Sequence, residues 1–391
     1  MPGTRNLQLP KENITLIYKI AIIAGQLVVG GAERQLYLWL SNLDRERFQP
    51  VVLTLHPGHN DYWEGPVRAL GIPLITIPHR RNRVSRVLDI TRVLLSHKPR
   101  LIHGWHLFAS PYAGLTAKLL GAKSLGGVRG NSRTFSDHSL ESRLTLWLVD
   151  AILVNSSSVA GQLQRMRWRN KQTIYMVQNA VEDEVSDRLV MRASLSQRFG
   201  FTDHGAWLGS VGRLDPGKRF DLILKILALL REEEDDFHFL LVGDGPEKHR
   251  LEQMVDELGL RQYITFAGEM PGASAWLGAL DIFCFTSLDE GLPNVVMEAA
   301  VAGTPIVSWN APFTKELLGN GEVACLVEAG NLIGFKNALV DLIHSPTLRD
   351  QLGQAARQHV LGSFSRDRFV RQMTYVYEDI LGDHRAATGL A

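Results

Sequence analysis

The sequence predicts an α/β protein made of two doubly wound parallel-sheet domains that meet near residue 185. Three observations carry this. The chain has 391 residues, 45% apolar and 21% charged, which suits two compact domains rather than one. Short runs rich in Val, Ile and Leu alternate with longer amphipathic stretches from one end to the other, the pattern of βαβ units. The alternation loosens into charged residues and a short helix over 181–205, then begins again.

In the first half, strands are expected at 19–24, 51–55, 74–77, 101–103, 124–128, 151–155 and 173–177, with helical spacing at 33–43 and 84–96. The apolar stretch 14–31 is interrupted by Lys19 and ended by Gly30 and Gly31, so it reads as a buried first strand and a turn rather than a membrane span. The second half offers strands at 207–211, 237–242, 263–266, 282–285, 305–308 and 324–327. A last helix at 366–381 follows the second sheet and is expected to pack back on the first domain. The domains are therefore read as 1–187, 188–365 and a C-terminal 366–391, with tails at 1–13 and 384–391.

Net charge is only +1, yet residues 1–187 carry 23 Lys+Arg against 14 Asp+Glu and residues 188–391 carry 19 against 27. A basic half joined to an acidic half points the first toward something anionic. The two cysteines, Cys284 and Cys325, show neither metal-site nor disulfide-framework spacing, so the natural setting is a reducing cytoplasm.

Two segments carry chemistry. Ser287-Leu-Asp-Glu-Gly-Leu-Pro-Asn-Val-Val-Met-Glu298 leaves a buried strand and enters a helix, with Pro293 expected in the first helical turn. Such a helix start presents unpaired N–H groups and the positive end of a dipole, a phosphate site. Glu290 and Glu298 flank it; each reads either as a hydroxyl acceptor or as an ordinary cap or solvated helix residue. Ser210-Val-Gly-Arg-Leu-Asp-Pro-Gly-Lys-Arg-Phe-Asp221 likewise leaves a strand and puts Arg213 and Lys218 at the mouth of the sheet, where Arg can grip phosphate in a fork and Lys acts as a point charge.

Together with Leu241-Val-Gly-Asp-Gly-Pro246, which contains Gly243, Ile264-Thr-Phe-Ala-Gly268, Asp281-Ile-Phe, Glu298-Ala-Ala-Val-Ala-Gly-Thr-Pro305 and Gly30-Gly-Ala-Glu-Arg34, these segments closely resemble glycosyltransferase family 4. The resemblance spans nearly all of the second half and reaches the first through the glycine turn. It implies the GT-B fold, two Rossmann-like domains facing a cleft, and a retaining, metal-independent transferase that uses a nucleotide diphosphate sugar as co-substrate and no cofactor. By position, Arg213 and Lys218 would neutralise the diphosphate, Glu298 would hold the ribose and Glu290 the sugar. Gly291, Leu292, Pro293 and Asn294 would offer backbone groups. Gly30 and Gly31 would let the first domain approach the donor, and 268–271, with Glu269 and Met270, would line the base pocket.

One departure from the family stands out. Many members carry a histidine soon after the strand at 124–128, where this chain continues Arg129-Gly-Asn-Ser-Arg133 and has no histidine until His138. Arg129, His106 and His103 are the candidates to fill the role, although a histidine beside an apolar strand is commonly a packed core residue. Basic clusters at 79–86 and 165–171, the latter with Trp168, suggest docking on anionic lipid headgroups. No nucleic-acid motif accompanies them. The expected function is transfer of a sugar from a UDP- or GDP-type donor to a saccharide or lipid-linked acceptor in cell-surface polysaccharide, lipopolysaccharide or glycolipid assembly. The expected location is the cytoplasm, peripheral on the inner face of the membrane. The rivals are an epimerase or phosphorylase on the same scaffold and a non-catalytic nucleotide-sugar binder.

Overall fold

The computed structural model describes residues 16–56, 61–78, 82–129, 140–165, 172–183, 186–200, 205–234, 236–270 and 272–383. The first sheet contains β1 (Tyr18–Ala24), β2 (Phe48–Thr54), β3 (Leu74–Thr76), β4 (Leu101–Gly104), β5 (Lys123–Val128), β6 (Ala151–Val154) and β7 (Thr173–Met176), in the order β3-β2-β1-β4-β5-β6-β7. The second contains β8 (Ala206–Val211), β9 (Phe237–Val242), β10 (Ile264–Gly268), β11 (Ile282–Phe285), β12 (Ile306–Trp309) and β13 (Cys325–Val327), in the order β10-β9-β8-β11-β12-β13. Every paired strand is parallel. Helices cover both faces, which is why central strands such as β1 are buried at every position except Lys19 and read as unbroken apolar runs. The two doubly wound sheets are those the sequence predicts.

One strand boundary differs for a physical reason. β2, expected from residue 51, begins at Phe48 and takes in Pro50. Val52 N–H donates to Pro73 O, so residues 50, 52 and 54 face β3, and β3 pairs with β2 only from Val52 onward. The N–H that Pro50 lacks would point where no neighbouring strand has yet begun.

The helix Arg366–Leu381 starts from the Ser365 cap and places Phe369, Met373, Val376 and Tyr377, at i, i+4, i+7 and i+8, in the core of the first domain. The Tyr377 ring meets Trp39 edge-on at 5.3 Å and Phe48 at 5.9 Å. The chain returns to the first domain where Val181 N–H donates to Phe364 O (3.0 Å). Among the described residues no helix is long and apolar enough to cross a membrane.

Candidate active site at the domain seam

In each sheet the strand order reverses once, between β1 and β4 in the first and between β8 and β11 in the second. Open parallel sheets bind ligands beyond the carboxyl ends of their strands at such switch points. The loops leaving β1, β4, β8 and β11 carry Gly30 and Gly31, His106, Arg213 and Lys218, and Glu290 to Pro293, so most of the sequence candidates sit at the two switch points.

On the second domain, the loop after β8 is held in shape by Asp215, whose carboxylate accepts from Gly217 N–H (2.9 Å). The hydroxyl of Thr286, just past β11, donates to the carbonyls of Lys218 (3.1 Å) and Arg219 (3.2 Å). That stitching brings Lys218 Nζ to 2.5 Å from Glu290 Oε1, which also accepts from Ser287 Oγ (2.7 Å). A Cβ on Gly212, the residue before Arg213, would lie 3.6 Å from the Lys218 stem. Arg213 is exposed and has no carboxylate partner among the described residues.

Gly291, Leu292 and Pro293 are buried, and the helix runs Asn294–Val301. Pro293, expected in the first helical turn, is instead the cap residue with an extended ψ of 112°, so the helix starts one position later. Gly243, at φ +136°, brings the loop after β9 against the loop after β8: a Cβ there would lie 2.0 Å from Gly212 O. Past β10, Glu269 is exposed and Met270 packs against the second domain's core, while Pro271 lies outside the described residues.

The first domain meets this helix directly. A Cβ on Gly31 would lie 2.3 Å from Asn294 Nδ2, so glycine there lets the Asn294 side chain lie against the start of the first domain's helix. Gly30 has extended backbone, and its constraint is space, since a Cβ would lie 2.2 Å from Glu33 Oε2. Glu298 is buried and ion-paired with Arg34 of the helix Gly31–Asn42. Asn179 Nδ2 donates to Leu292 O (3.0 Å) and Asn294 Oδ1 (2.9 Å), and Gln35 reaches Asn294 Oδ1 (3.4 Å). Farther along, Glu316 accepts from Ser157 Oγ (2.6 Å) and Gln178 Nε2 (2.7 Å). Arg34, Gln35, Asn179 and Glu316 were not among the sequence candidates. Only Arg34 had a visible signal, the glycine-turn segment that it ends.

The two histidines separate cleanly. His103 belongs to β4, is buried, and has Nδ1 2.8 Å from the Tyr377 hydroxyl. His106 lies in the loop, with Nε2 3.0 Å from Glu33 Oε1 and its ring stacked on Phe108 (5.3 Å between centroids). Arg129 leaves β5 over the Trp105 ring, with Cζ 3.9 Å from its centroid, and Nη1 donates to Asn179 Oδ1 (3.3 Å). Residues 130–139, including His138, lie outside the described residues, as do 79–81 and 166–171 of the basic clusters. Among the described residues no three His, Cys, Asp or Glu side chains group so as to hold a metal ion.

Two Rossmann-like domains meeting at a seam, with cations and a helix start at the mouth of the second, define a GT-B-type protein. Residues 29–185 match the model described as Glycosyltransferase Family 4, and residues 192–359 match the model described as Glycosyl transferases group 1. The chain belongs to glycosyltransferase family 4, with the GT-B fold, and is a glycosyltransferase. It is 25% identical over 345 residues to the lipopolysaccharide core biosynthesis glycosyltransferase LpsE of Rhizobium meliloti, covering 86% of this chain and 93% of LpsE. It is 30% identical over 192 residues to the phosphatidyl-myo-inositol mannosyltransferase of Mycobacterium leprae, covering 48% of this chain and 50% of that protein. The structure of Anabaena HepE in complex with UDP and glucose superposes with a TM-score of 0.81 at 18% identity, covering 92% of this chain and 99% of HepE.

His103 makes stability depend on pH. Burial first, then the positive charges of Arg129 and His106, lower its pKa well below the usual 6.5. The folded pKa lies below the unfolded one, so the unfolded chain takes up a proton first, and stability falls as pH drops below about 6.5. Urea midpoints measured from pH 7.5 to 5.5 should therefore decline, and the decline should be shallower in His103→Gln.

Proposed function

We propose that the chain transfers a hexosyl group from a UDP- or GDP-type nucleotide sugar to a hydroxyl of a saccharide or lipid-linked acceptor. In this reading the anomeric configuration is retained, no metal takes part, and the product belongs to lipopolysaccharide, surface polysaccharide or glycolipid assembly. The observation that carries the reading is the cationic loop after β8, with Arg213 exposed beside Lys218, facing the loop that leads into the helix Asn294–Val301. The UDP and glucose named for HepE, and the lipopolysaccharide and lipid products named for the relatives, support it.

The chemistry follows from charge. As the sugar–phosphate bond breaks, the departing diphosphate gains negative charge and the sugar becomes oxocarbenium-like. Fixed cations and helix N–H groups then stabilise the transition state more than the ground state. Without donor, Glu290 and Lys218 neutralise each other; an entering diphosphate takes Lys218, and Glu290 is released to accept from sugar hydroxyls. Retention fits attack from the face the diphosphate leaves, with a phosphate oxygen taking the acceptor proton. Release of nucleotide diphosphate only when acceptor is present separates this function from an epimerase or a non-catalytic binder.

The acceptor-binding domain is proposed to rest on an anionic bilayer. Three adjacent helices of that domain, Arg83–His97, Ser110–Leu120 and Leu140–Leu148, expose Leu88 and Leu95, Leu115 and Leu119, and Trp147, with Arg92, Lys118 and Arg143 between them. Lys118 Nζ stands 5.2 Å from the Trp147 ring centroid. Apolar side chains edged by cations match the interfacial region of an anionic leaflet.

Two predictions follow from these roles. Glu290→Gln should lower kcat about a hundredfold with donor Kd nearly unchanged, whereas Lys218→Ala should lower kcat and weaken donor binding together; steady-state kinetics and calorimetric titration read both, and wild-type activity in either variant contradicts the roles. The wild type should sediment with phosphatidylglycerol vesicles and not with phosphatidylcholine vesicles, and Lys118→Glu combined with Trp147→Ser should abolish the difference. Sedimentation independent of anionic lipid removes the membrane proposal.

A further inference from the structure

The cleft holds a second cationic group that the diphosphate does not need. The Arg129 guanidinium lies over Trp105, whose indole Nε1 donates to Ala32 O (2.8 Å) at the start of the first domain's opening helix. Nη1 is spent on Asn179, the residue that also grips Leu292 and Asn294 across the seam. Nε and Nη2, by contrast, are buried and have no hydrogen-bond partner among the described residues. These two nitrogens form one edge of the guanidinium, the edge that binds both oxygens of a carboxylate or phosphate through parallel hydrogen bonds.

A buried cation with an empty two-pronged edge is costly unless something pairs with it. Glu33 is the neighbouring acid, and its carboxylate is engaged by His106 at 3.0 Å. Burial lowers the Arg129 pKa to about 10, so the group still carries its charge at neutral pH. Its position, past β5 and one residue removed from the Asn294 helix start through Asn179, is on the cleft side of the first sheet. The donor diphosphate, in the function proposed above, has its own cations on the opposite domain.

We propose that the Nε/Nη2 edge of Arg129 receives an oxyanion carried by a sugar substrate, the carboxylate of a uronic acid or the phosphate of a sugar phosphate. Arg129 then selects acidic sugars where a histidine in its place would accept neutral ones. The proposal rests on the donor-site reading of the preceding subsection. A purely structural Arg129, present only to hold Asn179, would treat neutral and acidic sugars alike.

The test is calorimetric titration of the full chain. The donor arm compares UDP-glucuronate with UDP-glucose, and GDP-mannuronate with GDP-mannose. The acceptor arm compares glucuronate and glucose 6-phosphate with glucose, with UDP or GDP saturating. The expected result is a preference of about tenfold or more for the acidic sugar in one arm, which names the source of the anion. Arg129→Gln should erase the preference and Arg129→Lys should reduce it, while affinity for the bare nucleotide diphosphate, which also reports that the variants are folded, changes by less than about threefold. Nucleotide diphosphate binding with no preference in either arm, or a preference that survives Arg129→Gln, overturns this proposal alone. Failure of UDP and GDP to bind overturns the donor-site reading, and this proposal with it.

Discussion

Everything functional in this molecule depends on how closely two helices approach across the domain seam. The helix Gly31–Asn42 and the helix Asn294–Val301 meet where Gly31 lies against the Asn294 side chain, and Arg34 closes on the buried carboxylate of Glu298. Asn179 ties the same helix start to the last part of the first domain. Each sheet alone offers an ordinary crevice at its switch point. Brought face to face, the two crevices become one cleft lined by loops from β1, β4, β8 and β11.

Charge inside that cleft is arranged in exchangeable pairs. Lys218 and Glu290 are both partly exposed, 24% and 18%, so their ion pair is screened and easily traded for a more highly charged ligand. Arg213 is already exposed to take part. Glu298 differs: its pairing with Arg34 lies in the seam, and the family resemblance places the same carboxylate on the ribose. Donor binding and domain closure would then draw on the same group.

The fold was legible because burial on both faces writes parallel strands as apolar runs, and all thirteen strands among the described residues lie where those runs occur. Boundaries were less so. β2 begins three residues before the expected 51 and takes in Pro50, because whether a strand tolerates proline depends on which neighbour its missing N–H faces, and that is a property of the sheet. Within the site, residues whose roles depend on their own loop, such as Lys218 and Glu290, could be picked out from local pattern. Arg34 and Glu298 are 264 positions apart, and nothing local to either announces the other. Asn179 had no pattern at all. His103 and His106, equivalent in sequence, were separated by a single structural fact: one ends inside β4 against Tyr377, the other beyond it beside Glu33.

The binding mode proposed for the cleft is a diphosphate held by protein cations and a helix start, without metal. Thermal unfolding of the wild type and of Arg213→Ala, in EDTA, across increasing UDP, GDP and ADP reads this binding, because a ligand of the folded state raises Tm by an amount that grows with the logarithm of its concentration relative to Kd. At least one of these diphosphates is expected to raise the wild-type Tm in EDTA, and most of the rise is expected to be lost in Arg213→Ala. Stabilisation by none of the three, or only after magnesium or manganese is restored, would contradict it.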